Sequence, residues 1–178
     1  KELVFKLFGV EIKILDAREE GKLAALGTSY SHKDVNGVVG DLGGGSLELT
    51  EMFGLKKINF LDSLPIGHTF LQNLGDYNSP KVEKYIDKNL GRINKKKIDN
   101  FYAVGGSFRV IAKLNMYLMN NSLKIIQDYV IDSDEISKNI KKNLFDNGKL
   151  NENFLLKVTK SRRNSIPYAF KIMEKLIN

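Results

Sequence analysis

Chemistry gathers in residues 38–49, which read Val-Val-Gly-Asp-Leu-Gly-Gly-Gly-Ser-Leu-Glu-Leu. An apolar stretch delivers one carboxylate, Asp41. Gly43, Gly44 and Gly45 follow, then the hydroxyl of Ser46, then a second carboxylate, Glu48. Glycine permits a tight turn and a close approach of backbone to ligand. Successive N–H groups in such a turn form an anion-binding nest. Acids beside a phosphate cradle repel the anion unless a cation lies between them. The run therefore predicts a phosphate site with a divalent metal, Mg²⁺, held through Asp41 and water. A Gly-rich β-hairpin turn is the plain alternative. The spacing is neither Gly-x-Gly-x-x-Gly nor a Walker loop, and the alternation after Ser46 predicts a strand where those motifs need a helix.

A second loop, Val104-Gly105-Gly106-Ser107, repeats the logic. A predicted strand ends in two glycines and a hydroxyl, and a helix begins; its N-terminus carries free N–H groups and partial positive charge. Two such loops predict a phosphorylated ligand clasped between them. Arg109, Arg162 and Arg163 are the candidate anion contacts. The lysine runs at 95–97 and 141–142 read as solvated surface. His32 and His68 lack the spacing of metal ligands or of a nucleophile–base pair and read as loop or surface residues. No serine- or cysteine-hydrolase constellation is present.

The elements that must carry these loops follow from periodicity and punctuation. Residues 1–8 predict a helix stopped by Gly9, and the alternating residues 10–15 predict a strand. Asp16 caps a helix over 18–26, with Glu19 at the capping-box position and Gly27 as its end. Residues 28–36 are polar and read as a loop. Strands are expected at 37–42, 46–53 and 54–64. Helices follow Pro65 to residue 74 and Ser79-Pro80 to residue 90. A strand over 100–104 precedes a helix over 108–119. Residues 132–145, 151–158 and 161–177 read as helical. Strands first, then helix and strand in alternation, give an α/β domain.

Of 178 residues, 42% are hydrophobic and 28% charged, a globular composition. No apolar run reaches the roughly 18 residues of a membrane-spanning helix, and the start carries no signal-peptide pattern. Cysteine is absent, which excludes disulfides and thiolate metal sites and fits a cytoplasmic setting. The net charge of +7 and pI of about 9.4 favour polyanionic partners, whether polyphosphate, nucleotides, nucleic acid or acidic lipid, with a generally lysine-rich composition as the plain alternative; neither a membrane nor a specific nucleic acid is the expected partner.

The residues now resemble a known family. Asp41-Leu42-Gly43-Gly44-Gly45-Ser46-Leu47-Glu48-Leu49 is similar to the Asp-Ile-Gly-Gly-Gly-Ser-Thr-Glu-Leu signature of the exopolyphosphatase and guanosine pentaphosphate phosphohydrolase (Ppx/GppA) family. Residues 16–23, with Glu19-Glu20, resemble its Ser-Gly-Glu-Glu-Glu-Ala-Arg-Leu segment. Residues 104–112 resemble its second glycine loop and helix, and Ser161-Arg162-Arg163 with Ile166-Pro167-Tyr168-Ala169 a late helical segment. Several positions depart from the pattern: Gly21 for alanine, Lys22 for arginine, Leu47 for threonine, and Ser107-Phe108 in the second loop.

The resemblance implies the ribonuclease-H-like superfold of actin, Hsp70 and sugar kinases, a mixed sheet with flanking helices. It implies that Glu20 is the general base activating water. Asp41 and Glu48 would hold Mg²⁺, and the backbones of Gly43 to Ser46 and of Gly105, Gly106 and Ser107 would cradle phosphates. The implied activity is removal of terminal phosphate from inorganic polyphosphate or of the 5′-phosphate of guanosine pentaphosphate, in a homodimer. An ATP-dependent kinase or ATPase of the same superfold, or a noncatalytic polyanion-binding module, are the alternatives. The family's N-terminal Asp-x-Gly-Ser-Asn-Ser loop would precede Lys1. The expectation is therefore a fragment: residues 1–35 the tail of a first domain, residues 36–178 the second.

Overall fold

The computed structural model describes residues 1–32, 34–55, 57–93, 98–157 and 160–177. At its centre lies a four-stranded mixed sheet of β1 (Asn36–Leu42), β2 (Leu47–Phe53), β3 (Lys57–Leu64) and β4 (Phe101–Val104), in the order β3-β2-β1-β4. β1, β2 and β3 run antiparallel; β4 joins β1 in parallel.

Side chains on a strand alternate between faces, and here the two faces differ in character. Val38, Leu42, Leu47, Leu49 and Leu64 point into the main core. That face is covered by α3 (His68–Leu74), α4 (Pro80–Leu90), α5 (Gly106–Leu118) and, after further short elements, α8 (Ile166–Ile177). Ile86, Ile111, Leu114, Phe170 and Ile172 close it. Val39 and Met52 occupy the opposite face and meet Ala25 of α2 (Ala17–Ser31) in a smaller core. Asp41, Glu48 and Thr50 share that second face by the same alternation.

Helix α2 starts at the expected capping box: Glu19 N donates to Asp16 Oδ1 at 2.8 Å, and Asp16 N to Glu19 Oε2 at 3.2 Å. It does not stop at Gly27 but runs on to Ser31 through residues expected to be loop. Thr28 Oγ1 donates to Ala24 O and Ser29 Oγ to Leu26 O, so both hydroxyls are satisfied inside the helix. Gly21 lets this helix lie close on the sheet. A Cβ there would fall 2.8 Å from Thr50 Oγ1 and 3.1 Å from the Phe60 ring.

Residues 10–15 have the alternation of a strand but are extended without a sheet partner. A strand needs a ladder, and the described residues offer none. The first fifteen residues, including α1 (Glu2–Phe8), bury no side chain; Leu3, Phe8 and Ile14 are all more than 65% exposed.

The expected helix over 132–145 is instead π-helical over Glu135–Ile140, continuing as α6 (Lys141–Leu144). A small hairpin follows, β5 (Phe145–Asp146) and β6 (Lys149–Leu150). Asn147 and Gly148 turn it with φ of 48° and 77°. A short α7 (Glu152–Leu155) and a 3₁₀ turn (Lys160–Ser165) then lead into α8. Lys95, Lys96 and Lys97, and the last residue of the helix expected over 151–158, lie outside the described residues.

Candidate functional site

The glycine run is a hairpin after all: Leu42 pairs with Leu47, and Gly43 N donates to Ser46 O at 3.0 Å. The plain alternative is what the backbone forms, and the residues that follow Pro65 hold its turn. The start of α3 presses against it. Gly67 N donates to Gly45 O (3.1 Å), His68 N to Gly43 O (3.3 Å), and Thr69 N and Phe70 N to Gly44 O (2.9 and 3.0 Å). A Cβ on Gly67 would lie 2.3–2.4 Å from the backbone of Gly44 and Gly45, so only glycine fits there. In a trans peptide the N–H points opposite to the C=O of the same unit. With the carbonyls of Gly43, Gly44 and Gly45 engaged by α3, the N–H groups of Gly44, Gly45 and Ser46 are aimed the other way.

The second loop meets the first beside Asp41. Gly105 has φ of +109° and lies so close that a Cβ would be 2.6 Å from Leu42 O and 3.3 Å from Asp41 Oδ1. Both the dihedral and the contact demand glycine. The helix starts at Gly106, two residues earlier than the sequence predicts, so Gly106 and Ser107 are first-turn residues of α5. Ser107 is fully buried and its Oγ donates to Ser165 Oγ at 3.0 Å, which ties this loop to the 3₁₀ turn. That hydroxyl is therefore structural, whereas the backbone of the loop is available.

Asp41 and Glu48 are direct cross-strand partners. Like charges so placed destabilise a sheet. Glu48 is only 2% exposed, and its Oε1 accepts from Ser63 Oγ, on β3, at 2.8 Å. Burial first, then the charge of Glu48, pushes the Asp41 carboxyl above its ordinary range, while Arg109 pulls it partly back. Glu20 hangs from α2 over the same face, at the exposed rim. Desolvation on its sheet-facing side, then Glu48 and Asp41, raises its carboxyl too. Three acids from α2, β1 and β2 thus act on one another across the glycine loops.

No three ligating side chains converge on one point among the described residues. A cation here would be held by Asp41 and Glu48 and would complete its shell with water and ligand oxygens. Such hard, water-rich coordination fits Mg²⁺.

Arg162 reaches the second loop: a Cβ on Gly106 would lie 2.7–2.9 Å from its guanidinium. Arg109 stands one turn into α5, exposed, and close enough to act on Asp41. Arg163, half-buried on the same 3₁₀ turn, is less open to a ligand than Arg162. The lysine pair at 141–142 is remote from the glycine loops, and Lys141 pairs with Glu174 at 2.7 Å on the surface.

The profile of the Ppx/GppA phosphatase family matches residues 1–178, the whole chain. The chain belongs to the Ppx/GppA phosphatase family. Two solved structures place its fold. A Ppx/GppA phosphatase from Aquifex aeolicus is 25% identical with a TM-score of 0.73, over 98% of this chain and 60% of that one. An exopolyphosphatase from Cytophaga hutchinsonii is 18% identical with a TM-score of 0.79, over 99% of this chain and 62% of that one. No curated protein matches. This Ppx/GppA chain therefore has the actin-like α/β fold and spans about three-fifths of the length of those solved relatives. No helix among its described residues is long and apolar enough to cross a membrane.

Two features of the site escaped the sequence reading of this family member. Ser63 is placed by strand register alone and had no local signal. His68, expected on the surface, stands half-buried at the first loop and close to Arg162. The Pro65–Gly67 helix start was visible, but not that its glycine touches another glycine turn.

Proposed function

We propose that the full-length protein is a phosphohydrolase that removes terminal phosphate from inorganic polyphosphate, or the 5′-phosphate from guanosine pentaphosphate. The observation that carries this reading is the grouping of Glu20, Asp41 and Glu48 beside two backbone cradles whose carbonyl or helix-start geometry leaves N–H groups outward. Mutually repelling acids that Arg109 offsets only in part are costly to a fold, which favours a functional role for them.

Hydrolysis of a phosphoanhydride needs positioning and charge neutralisation more than a covalent nucleophile. The N–H groups of Gly44, Gly45 and Ser46 bind one part of the phosphoryl chain, and those of Gly106 and Ser107 the next. Arg162 and Arg109 balance its charge from the 3₁₀ turn and α5. Glu20 takes the proton of the attacking water at its carboxylate; a raised carboxyl is a stronger base than an ordinary one. Asp41 and Glu48 hold Mg²⁺, which when bound supplies neutralisation of phosphoryl oxygens. Ser63 fixes the rotamer of Glu48.

Phosphate release from long-chain polyphosphate with Mg²⁺, by the full-length protein and its Glu20→Gln variant, tests the proposal. Release that falls by about 10²–10⁴ in the variant, the usual worth of a general base, is the expected result. Equal rates would remove Glu20 from the mechanism. No release by the wild type from polyphosphate or guanosine pentaphosphate would sink the reading.

A further inference from the structure

His68 has no part in the mechanism above, yet it stands at the seam of the two cradles. It opens α3 directly after Gly67, the residue packed on Gly44 and Gly45. Its Nδ1 lies 3.0 Å from Thr69 Oγ1. A Cβ on Gly44 would in turn be 3.1 Å from that same hydroxyl. On the other side, Arg162 acts on the imidazole while its guanidinium rests on Gly106. The line from Gly44 through Thr69, His68 and Arg162 to Gly106 therefore joins the first loop to the second.

The surroundings of the ring are one-sided in charge. Helix α4, the 3₁₀ turn and α8 pack against α3, and among the described residues the charge that acts on the imidazole is that of Arg162, from the 3₁₀ turn. The glycine loop offers backbone and α3 offers the Thr69 hydroxyl. No carboxylate among the described residues acts on the ring.

We propose that His68 is a proton-gated contact for the phosphoryl chain: when a polyphosphoryl group spans the two loops, the imidazole takes a proton from solvent and becomes a second cation beside Arg162. Burial, then Arg162, holds the free imidazole below its ordinary range. A ligand with several negative charges reverses that balance, since opposite charge nearby favours the protonated form. The proton taken up makes binding tighter as pH falls. A histidine here thus sets both affinity for anions and its dependence on pH.

The inference rests on the phosphoryl-binding reading, and the experiment separates the two. Binding of inorganic tripolyphosphate to the full-length protein and to His68→Asn is measured by calorimetry from about pH 8 to about pH 6, where free imidazole titrates. The affinity ratio of wild type to variant is expected to grow toward about tenfold per proton and pH unit gained. The histidine NMR signal that vanishes in the variant should titrate at higher pH when tripolyphosphate is bound. His68→Lys, a permanent cation, should bind at the tight end throughout. Wild-type binding with a pH-independent ratio, an unmoved His68 signal, or His68→Lys binding as weak as His68→Asn would each overturn the gate while leaving the phosphate site standing. No binding by the wild type would remove both.

Discussion

Asp41→Asn should make the protein more stable while it removes a proposed metal ligand. The register sets Asp41 directly opposite Glu48, and Glu48 is almost wholly buried. A like-charge pair in that position costs roughly 0.2–1 kcal/mol, and the dry setting of Glu48 places this one near the top of the range. Asparagine keeps the shape and removes one charge. A gain of about 1 kcal/mol raises Tm by about 2–4 °C in a chain of this size. Scanning calorimetry at pH 7 in chelator reads it directly. Adding Mg²⁺ should lift the wild type and not the variant, so the gap narrows or reverses, because an ion that binds only the folded state stabilises it. The pH dependence has a definite sign. The folded-state carboxyl of Asp41 lies above its ordinary value, so the folded protein holds more protons than the unfolded chain between those two values. Stability then falls as pH rises through that window. The variant's advantage is full above it and absent below the ordinary aspartate range. A variant that melts lower than the wild type in chelator would refute the idea that the two acids repel across the sheet.

Two other substitutions probe the scaffold. Gly105→Ala combines a dihedral of +109° with a contact on Leu42 O; strain of about 1–3 kcal/mol should lower the urea midpoint and impair phosphate release together. Thr50→Val exchanges a buried hydroxyl that has no partner among the described residues for a methyl group. Removing an unsatisfied polar atom is worth about 1–3 kcal/mol, so the midpoint should rise, and a fall would show that the hydroxyl is satisfied.

What was legible in the sequence was what is local. The Asp16–Glu19 capping box needs four residues in order, and it formed as expected. The strands around Asp41 and Glu48 follow from period-two alternation, and their face from the same rule. The hairpin over residues 145–150 lies between two expected helices, and its local signal is Asn147-Gly148, a strong two-residue turn pair. Helix α2 runs past Gly27 to Ser31, because glycine in a helix interior is only a modest cost and the hydroxyls of Thr28 and Ser29 are satisfied within the helix. The alternation of residues 10–15 was real, but a strand is a property of two segments, and here the second is not among the described residues. Ser63 and His68 reach the site through contacts between residues distant in sequence, which no local pattern encodes.

The hold of α3 on the glycine turn bears on how ligand capture is powered. Three glycines in a row would otherwise be a mobile stretch, and ordering backbone costs about 1–2 kcal/mol per residue. Four N–H donors from α3 order that turn once, during folding. In the proposed site, an arriving anion would meet a rigid set of dipoles and spend none of its interaction energy on freezing them. The same arrangement makes this turn intolerant of length change. One residue inserted between Gly43 and Ser46 would carry the carbonyls out of reach of their donors, whereas surface turns elsewhere in the chain can lengthen at little cost.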